Sequence, residues 1–170
     1  MFTTARSGDI LRPMIAIRPM TEADLDAVLT IERDCFPRPW NRDHFLAELA
    51  SPRAAAVVAV TEAGAIAGYL CLSVLLDEAE ILDVAVLPTM QRSGIGALLL
   101  SWACREAAVR GAAVLRLEVR ATSLPARALY ERFGFVGAGL RKGYYEQGID
   151  AVVMEKTLSE EDGAACSSRQ

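Results

Sequence analysis

Three stretches of this chain carry residue types that chemistry can use. Glu118 sits in Leu117-Glu118-Val119-Arg120, and Tyr130 follows in Ala128-Leu129-Tyr130-Glu131. A carboxylate and a phenol are both proton-transfer groups. The third stretch is Gln91-Arg92-Ser93-Gly94-Ile95-Gly96, with Ala97 after it. Its two glycines let the backbone turn tightly and approach a ligand with no Cβ in between. A helix opening here presents unpaired N–H groups and the positive end of its dipole. Arg92 adds a full charge, and no Asp or Glu occupies the first turn. Together these make a cradle for a phosphate or pyrophosphate. It is not a Walker loop, because Gly96 is followed by Ala97-Leu98-Leu99. It is not a dinucleotide fingerprint either, since Leu99 stands where the third glycine belongs. Each stretch alone also has a plainer reading. Glu118 would be a solvated strand residue paired with Arg116 and Arg120, Tyr130 a half-buried core aromatic, and the loop a glycine turn capping a packed helix.

The elements that must position these residues follow from period and punctuation. Residues 14–18 read as a first strand. Thr21 caps a helix running to about residue 34, with Asp24 placed as in a capping box. Pro37 and Pro39 exclude helix from 35–40 and leave a loop with two aromatics, Phe36 and Trp40. Asn41 caps a second helix that stops at Ser51-Pro52, with Phe45, Leu46 and Leu49 on one face. Residues 54–61, 65–76 and 79–87 form an antiparallel meander, turned at Glu62-Ala63-Gly64 and Asp77-Glu78. The helix at 94–110 turns Ile95, Leu98, Leu99, Trp102 and Val109 inward and stops at Gly111. Residues 114–120 alternate strictly, with Leu115, Leu117 and Val119 on one side and Arg116, Glu118 and Arg120 on the other. Strand, helix, strand implies a right-handed crossover and parallel pairing with the strand at Ile81. Thr122 or Ser123 caps a short helix with Pro125 in its first turn and Gly134 at its end. Strands at 135–140 and 151–157 flank the loop Arg141-Lys142-Gly143-Tyr144-Tyr145.

This pattern predicts one α+β domain at residues 14–158. Its core is a mixed, mostly antiparallel twisted sheet of about seven strands flanked by about four helices. Residues 1–13 read as a flexible leader, with Met14 a second candidate start, and 159–170 as a disordered tail. The 170 residues suffice to bury a core, and 52% hydrophobic with 24% charged residues argues against wholesale disorder. A net charge of −4 gives no bulk attraction to nucleic acid, so any anion site is local. Cys35, Cys71, Cys104 and Cys166 are scattered and His44 is the only histidine, which predicts no metal site. Scattered cysteines without a secretion signal fit a reducing cytoplasm. No apolar run approaches the ~20 residues of a membrane span. No nucleic-acid or membrane partner is expected.

Taken in order, the set resembles the GNAT family of acyl-CoA-dependent N-acetyltransferases. The family's phosphate loop, (Arg/Gln)-x-x-Gly-x-(Gly/Ala), is met by Gln91, Gly94 and Gly96, and the likeness spans residues 15–158. Several stretches look most like the branch that acetylates the N-terminal alanine of a ribosomal protein (RimI-like enzymes). They are Phe36-Pro37 with Trp40, Leu76-Asp77-Glu78-Ala79, Val84-Ala85-Val86, Leu117-Glu118-Val119-Arg120, Ala128-Leu129-Tyr130-Glu131 and Arg141-Lys142-Gly143-Tyr144-Tyr145. The resemblance implies acetyl-CoA as co-substrate, Glu118 as proton acceptor and Tyr130 as proton donor. It places CoA contacts on Val84, Ala85 and Val86 and on Arg92, Ser93, Gly94, Ile95, Gly96 and Ala97, with Gln91 opening the loop. Ser123 stands where the branch has a CoA-binding asparagine, and its reach is shorter. Arg38-Pro39 is inserted between Pro37 and Trp40, on the acceptor side.

Acetyl transfer needs a neutral amine. A protein N-terminus, with pKa ~8, meets this more easily than a lysine at ~10.4. Glu118 would take the proton directly or through water, and Tyr130 would protonate the leaving sulfur. A free N–H in Val84-Ala85-Val86 would polarise the thioester carbonyl. Direct transfer in a ternary complex is expected. Trp40, Asp77, Glu78, Tyr144 and Tyr145 are assigned to the acceptor side, with Glu80 close by: the three acids to attract a basic peptide, the tyrosines as a wall. A solvated turn and strand-edge packing are the plainer alternatives. Two other functions stay open: a GNAT acting on a small amine or another protein amine, and a non-catalytic CoA-binding module.

Overall fold

A computed structural model describes residues 14–164; the expected leader and the last part of the expected tail lie outside the described residues. Strands β1 (Ile15–Pro19), β2 (Ala54–Thr61), β3 (Ile66–Leu75) and β4 (Glu78–Val86) pair antiparallel in sequence. β4 then pairs parallel with β5 (Val114–Arg120), which pairs antiparallel with β7 (Ala151–Thr157), itself beside β6 (Val136–Arg141). The sheet order is β1-β2-β3-β4-β5-β7-β6. The parallel pair is joined through a helix, α3 (Ile95–Val109), as a parallel connection requires.

Helices cover both faces. α1 (Leu25–Cys35) and α2 (Arg42–Ala50) bury Leu25, Val28, Ile31 and Phe45 against Val58, Tyr69 and Ala85. α3 and α4 (Leu124–Arg132) pack on the other face, over Leu70, Leu72, Ile81 and Leu117. The capping signals hold. The Thr21 N–H donates to Asp24 Oδ2 at 2.8 Å, and Arg18 holds the same carboxylate through both terminal nitrogens at 2.8 Å each. Asn41 Oδ1 accepts the His44 N–H at 3.0 Å.

Two expectations are corrected. Leu98 and Val109 do not face inward: they are 45% and 67% exposed, and the buried stripe of α3 is Ile95, Leu99, Leu100, Ala103, Cys104 and Ala107. This helix is apolar nearly all round, so its hydrophobic residues alone do not select a face. The small residues do, because Ala103 and Ala107 let the helix approach the sheet closely. Order also continues past residue 158, into α5 (Glu160–Ala164). The Ser159 N–H donates to Asp162 at 2.8 Å, Lys156 pairs with Asp162 at 3.3 Å, and Gly163 lies against Ala108. Among the described residues no helix is long and apolar enough to cross a membrane.

β4 carries one irregularity that matters for the site. Leu72 is opposite Ile81 and Cys71 is opposite Asp83, so Leu82 is an extra residue in the strand. Before it, Ala79 and Ile81 face α3. After it Val84 and Val86 do, and Asp83 and Ala85 point to the α1 side. The β4–β5 ladder stops at Ile81–Leu117, and beyond it the two strands part.

Candidate active site

The parting of β4 and β5 opens a cavity of about 710 Å³ through the sheet. Val84, Val119, Ala126 and Tyr130 line it from the α4 side; Glu80, Asp83, Glu118, Trp40, Tyr144 and Tyr145 line it from the other. The two expected proton-transfer residues thus share one space across the split.

Glu118 does not pair with Arg116 or Arg120. Arg116 is taken by Glu78 at 2.8 Å and Glu155 at 2.6 Å, and Arg120 by Glu146. Glu118 is held instead by Arg141 Nε at 3.0 Å, a partner 23 positions on that only the β6–β7 connection brings near. Glu80 lies on the same face. Partial burial, and then the charge of Glu118, push its carboxyl above the usual range. Tyr130 packs on Phe135 with ring centroids 5.9 Å apart. Burial pushes its phenol up to about 12, with Tyr145 and Asp83 acting in the same direction, so it is protonated at neutral pH.

The glycine loop has the backbone that its sequence suggests. Arg92 and Gly94 both adopt left-handed conformations, with φ of 64° and 88°. A Cβ on Gly94 would meet nothing within 4 Å, so the glycine is there for its backbone angle. A Cβ on Gly96 would touch Leu129 at 3.4 Å, where α3 starts against α4. The Gln91 side chain donates to the Val86 carbonyl at 3.2 Å and ties the loop to the end of β4. Ser93 turns its hydroxyl back to the Met90 carbonyl. Arg92, Ser93 and Gly94 are exposed, and no acid occupies the first turn of α3. The Ala85 and Ile95 side chains are buried in the core, so these positions offer backbone only. Ala97 lies in the first turn of α3. Ser123 begins α4 without a side-chain capping bond and lines the cavity.

On the acceptor side the structure brings together Trp40, Tyr144 and Tyr145. The two tyrosines meet edge to face at 5.1 Å, with Arg120 4.4 Å over Tyr145 and Arg141 5.2 Å over Tyr144. Asp77 and Glu78 stay outside the lining. They lie at the paired end of β4, where the Asp77 carbonyl accepts the Ala113 N–H at 2.7 Å and Arg116 takes the Glu78 carboxylate. Glu80, two residues on along the same face, is the acid of that turn that reaches the cavity.

Sequence reasoning passes over a buried polar group on the α1 side. The Tyr69 hydroxyl donates to Glu32 and lies 3.2 Å from Asp83 Oδ2, while Glu32 Oε1 accepts the Trp40 N–H at 2.7 Å. Burial, then the neighbouring Glu32 charge, push the Asp83 carboxyl up to about 8. The signal that was available is Asp83 itself, a carboxylate inside Ile81-Leu82-Asp83-Val84-Ala85-Val86.

Comparison with known proteins gives one answer. The acetyltransferase (GNAT) family profile matches residues 25–135. The ribosomal protein bS18-alanine N-acetyltransferase of Escherichia coli (strain K12) is 36% identical over 151 residues, covering 86% of this chain and 99% of that protein. The crystal structure of the ribosomal-protein-S18-alanine N-acetyltransferase from Escherichia coli superposes with a TM-score of 0.79 over 86% of this chain and 95% of that one, at 36% identity. An N-alpha-acetyltransferase of Sulfolobus acidocaldarius is 30% identical over 84% of this chain and 92% of that protein. With the split between its parallel strands and the glycine loop at the head of α3, the chain belongs to the GNAT family of acetyltransferases.

Proposed function

We infer that this protein transfers the acetyl group of acetyl-CoA to the N-terminal α-amine of a protein, one that begins with alanine and belongs to the ribosome. The observation that carries this reading is the cavity through the sheet, with Glu118 on one face and Tyr130 on the other. An amine arriving on one face and a thioester on the other meet between a proton acceptor and a proton donor. The named activity of the relatives supports the acceptor.

The residues fit acetyl-CoA. The exposed turn of residues 92–94, with the positive end of α3 and Arg92, suits its pyrophosphate. Residues 84–86, unpaired on their β5 side, suit its acyl arm. When bound, acetyl-CoA supplies an activated acetyl thioester. Glu118, oriented by Arg141, takes the proton of the acceptor ammonium directly or through water. A backbone N–H of residues 84–86 polarises the carbonyl. Tyr130 gives its proton to the departing sulfur. Cys35, Cys71 and Cys104 are free thiols, but burial raises all three above the ordinary thiol range. None is a ready thiolate, which favours direct transfer over an acetyl-cysteine relay. Free thiols of this kind suit the reducing cytoplasm, where we place the reaction.

The test is a panel of acceptors incubated with acetyl-CoA: alanine-starting peptides, the same peptides with a blocked N-terminus and an internal lysine, and small amines. Mass spectrometry then locates the acetyl group. Acetyl on the free α-amine is expected. Acetyl on lysine alone, or on small amines alone, would overturn the assignment, and no thiol release with any acceptor would leave a CoA-binding module.

A further inference from the structure

The transfer chemistry leaves Glu32, Tyr69 and Asp83 unused, although Glu32 and Asp83 line the cavity. Their protons can be counted. A phenol has one. The Tyr69 hydroxyl spends it on Glu32 Oε2, and Glu32 Oε1 accepts the Trp40 N–H at 2.7 Å. The contact of 3.2 Å between the Tyr69 oxygen and Asp83 Oδ2 is then a hydrogen bond only if Asp83 brings the proton. The surroundings agree. Tyr69 is fully buried and Glu32 is 1% exposed. α1 presents Glu32 and Cys35 to this group, β3 presents Tyr69 and Cys71, α4 presents Tyr130, and Glu48 of α2 acts on Cys71. Arg38 and Arg120 line the same cavity, but Arg120 is paired with Glu146 and neither bonds Asp83. Two ionised carboxylates around one buried phenol would repel with no cation to offset them.

We propose that Asp83, as a neutral acid, is a positioning residue: it donates to Tyr69, Tyr69 donates to Glu32, and Glu32 holds the Trp40 N–H, so that one chain of hydrogen bonds sets the acceptor wall. The proposal rests on the reading of this side as the site of the peptide N-terminus. The chain reaches the wall by a second route as well. The Tyr69 ring meets Phe45 edge-on at 5.6 Å, and Phe45 meets Trp40 at 5.2 Å. The register shift at Leu82 is what turns Asp83 to this side, diagonal to Tyr69 across the β3–β4 pair. A raised carboxyl keeps its proton below its folded pKa and loses it above. The chain is therefore intact at neutral pH and broken in the alkaline range, where a second charge appears beside Glu32.

Two measurements test this, one of them independent of catalysis. With Trp102→Phe, Trp40 is the remaining tryptophan of the two in the chain, and its emission is followed from neutral to alkaline pH. A transition centred near 8 is expected, and Asp83→Asn, which keeps a donor but does not titrate, abolishes it. In turnover, the peptide KM of the native enzyme rises about tenfold once the chain is broken, the effect of one lost charge-assisted hydrogen bond, while the acetyl-CoA KM holds. Asp83→Asn flattens that rise. Tyr69→Phe keeps the ring stack, cuts the chain and raises the peptide KM at neutral pH, with kcat little changed. Identical Trp40 titrations in native protein and Asp83→Asn, or an unchanged peptide KM in Tyr69→Phe, would overturn the proposal. A Trp40 transition that depends on Asp83 in a protein that acetylates no peptide would uphold the chain and refute the acceptor reading instead.

Discussion

Replacing Tyr130 by phenylalanine removes one oxygen and leaves the ring. The ring is what packs: it sits on Phe135 at 5.9 Å and belongs to the α3-side core. Among the described residues no hydrogen bond acts on the hydroxyl, whose pKa is raised by burial first and then by the titrating neighbours Tyr145 and Asp83. The substitution therefore costs the fold within about 0.5 kcal/mol, and the melting temperature moves by about 2 °C at most. The effect on chemistry is separate. With a pKa of about 12 the phenol is a full donor at pH 7, and its loss lowers kcat about 100-fold, the low end for a general acid. That is about 2.7 kcal/mol of barrier. The low end applies because a thiol of ordinary pKa ~8.5 leaves tolerably well as thiolate. The assay is thiol release at saturating peptide and acetyl-CoA, beside a thermal melt. Full kcat with a native melt would refute Tyr130 as donor. A loss of kcat matched by a lowered melt and a weakened acetyl-CoA KM would show a packing role instead.

Glu118→Gln is expected to lower kcat about 100-fold at pH 7, with the deficit shrinking as pH rises past the ~8 of the amine, where no base is needed. A deficit constant with pH would show that Glu118 orients rather than accepts. Gly68→Ala would place a Cβ 2.8 Å from the Ala85 carbonyl and 3.3 Å from Leu99, so about 1–3 kcal/mol of stability is lost; an unchanged melt would refute this close approach of α3. Asp24, lowered from 3.8 to about 2 by Arg18 first and then by Thr21, stabilises the fold above the unfolded value, and that contribution fades as pH falls from about 4 to 2. The shift is worth about 2 kcal/mol at most, nearer 1 after screening at Arg18, whose side chain is 44% exposed; acid denaturation of Asp24→Asn should lack this component. Deleting Leu82 would join Ile81 directly to Asp83 in a regular ladder and keep Asp83 on the Tyr69 side, so a folded protein is expected, checked by circular dichroism and gel filtration; loss of the fold would refute Leu82 as the extra residue.

Most of the scaffold is legible because it is written locally. The alternation at residues 114–120 gives β5 and its faces, Thr21 and Asn41 mark helix starts, and a helix between two apolar strands dictates the parallel pair. The glycine loop is legible for the same reason, since Gly94 needs φ of 88° and its type declares it. What escapes is set by partners far apart in sequence. Glu118 lies between two arginines on its own strand face, yet both are taken by Glu78, Glu155 and Glu146, and Arg141 arrives from another strand. The inward face of α3 escapes because its contrast lies in side-chain size rather than polarity, and the capped turn at Ser159 is a signal masked by the acids around it.

The hardest feature to read, the extra residue in β4, is also the one that couples the two halves of the site. Along a regular strand Ile81 and Asp83 would share a face, and Asp83 would sit as an isolated carboxylate in the α3 core. Leu82 reverses the parity, so Val84 and Val86 continue the apolar face and Asp83 joins Tyr69 and Glu32. The β4–β5 ladder ends at Ile81–Leu117, immediately before this residue. One local irregularity therefore accompanies both the opening through the sheet and the delivery of an acid to the acceptor wall. Two-residue periodicity does not reveal it, but polarity out of phase does. A carboxylate at a position that the pattern assigns to the core marks either a misread strand or a bulge, and here the intact pairing on either side of Leu82 identifies the bulge.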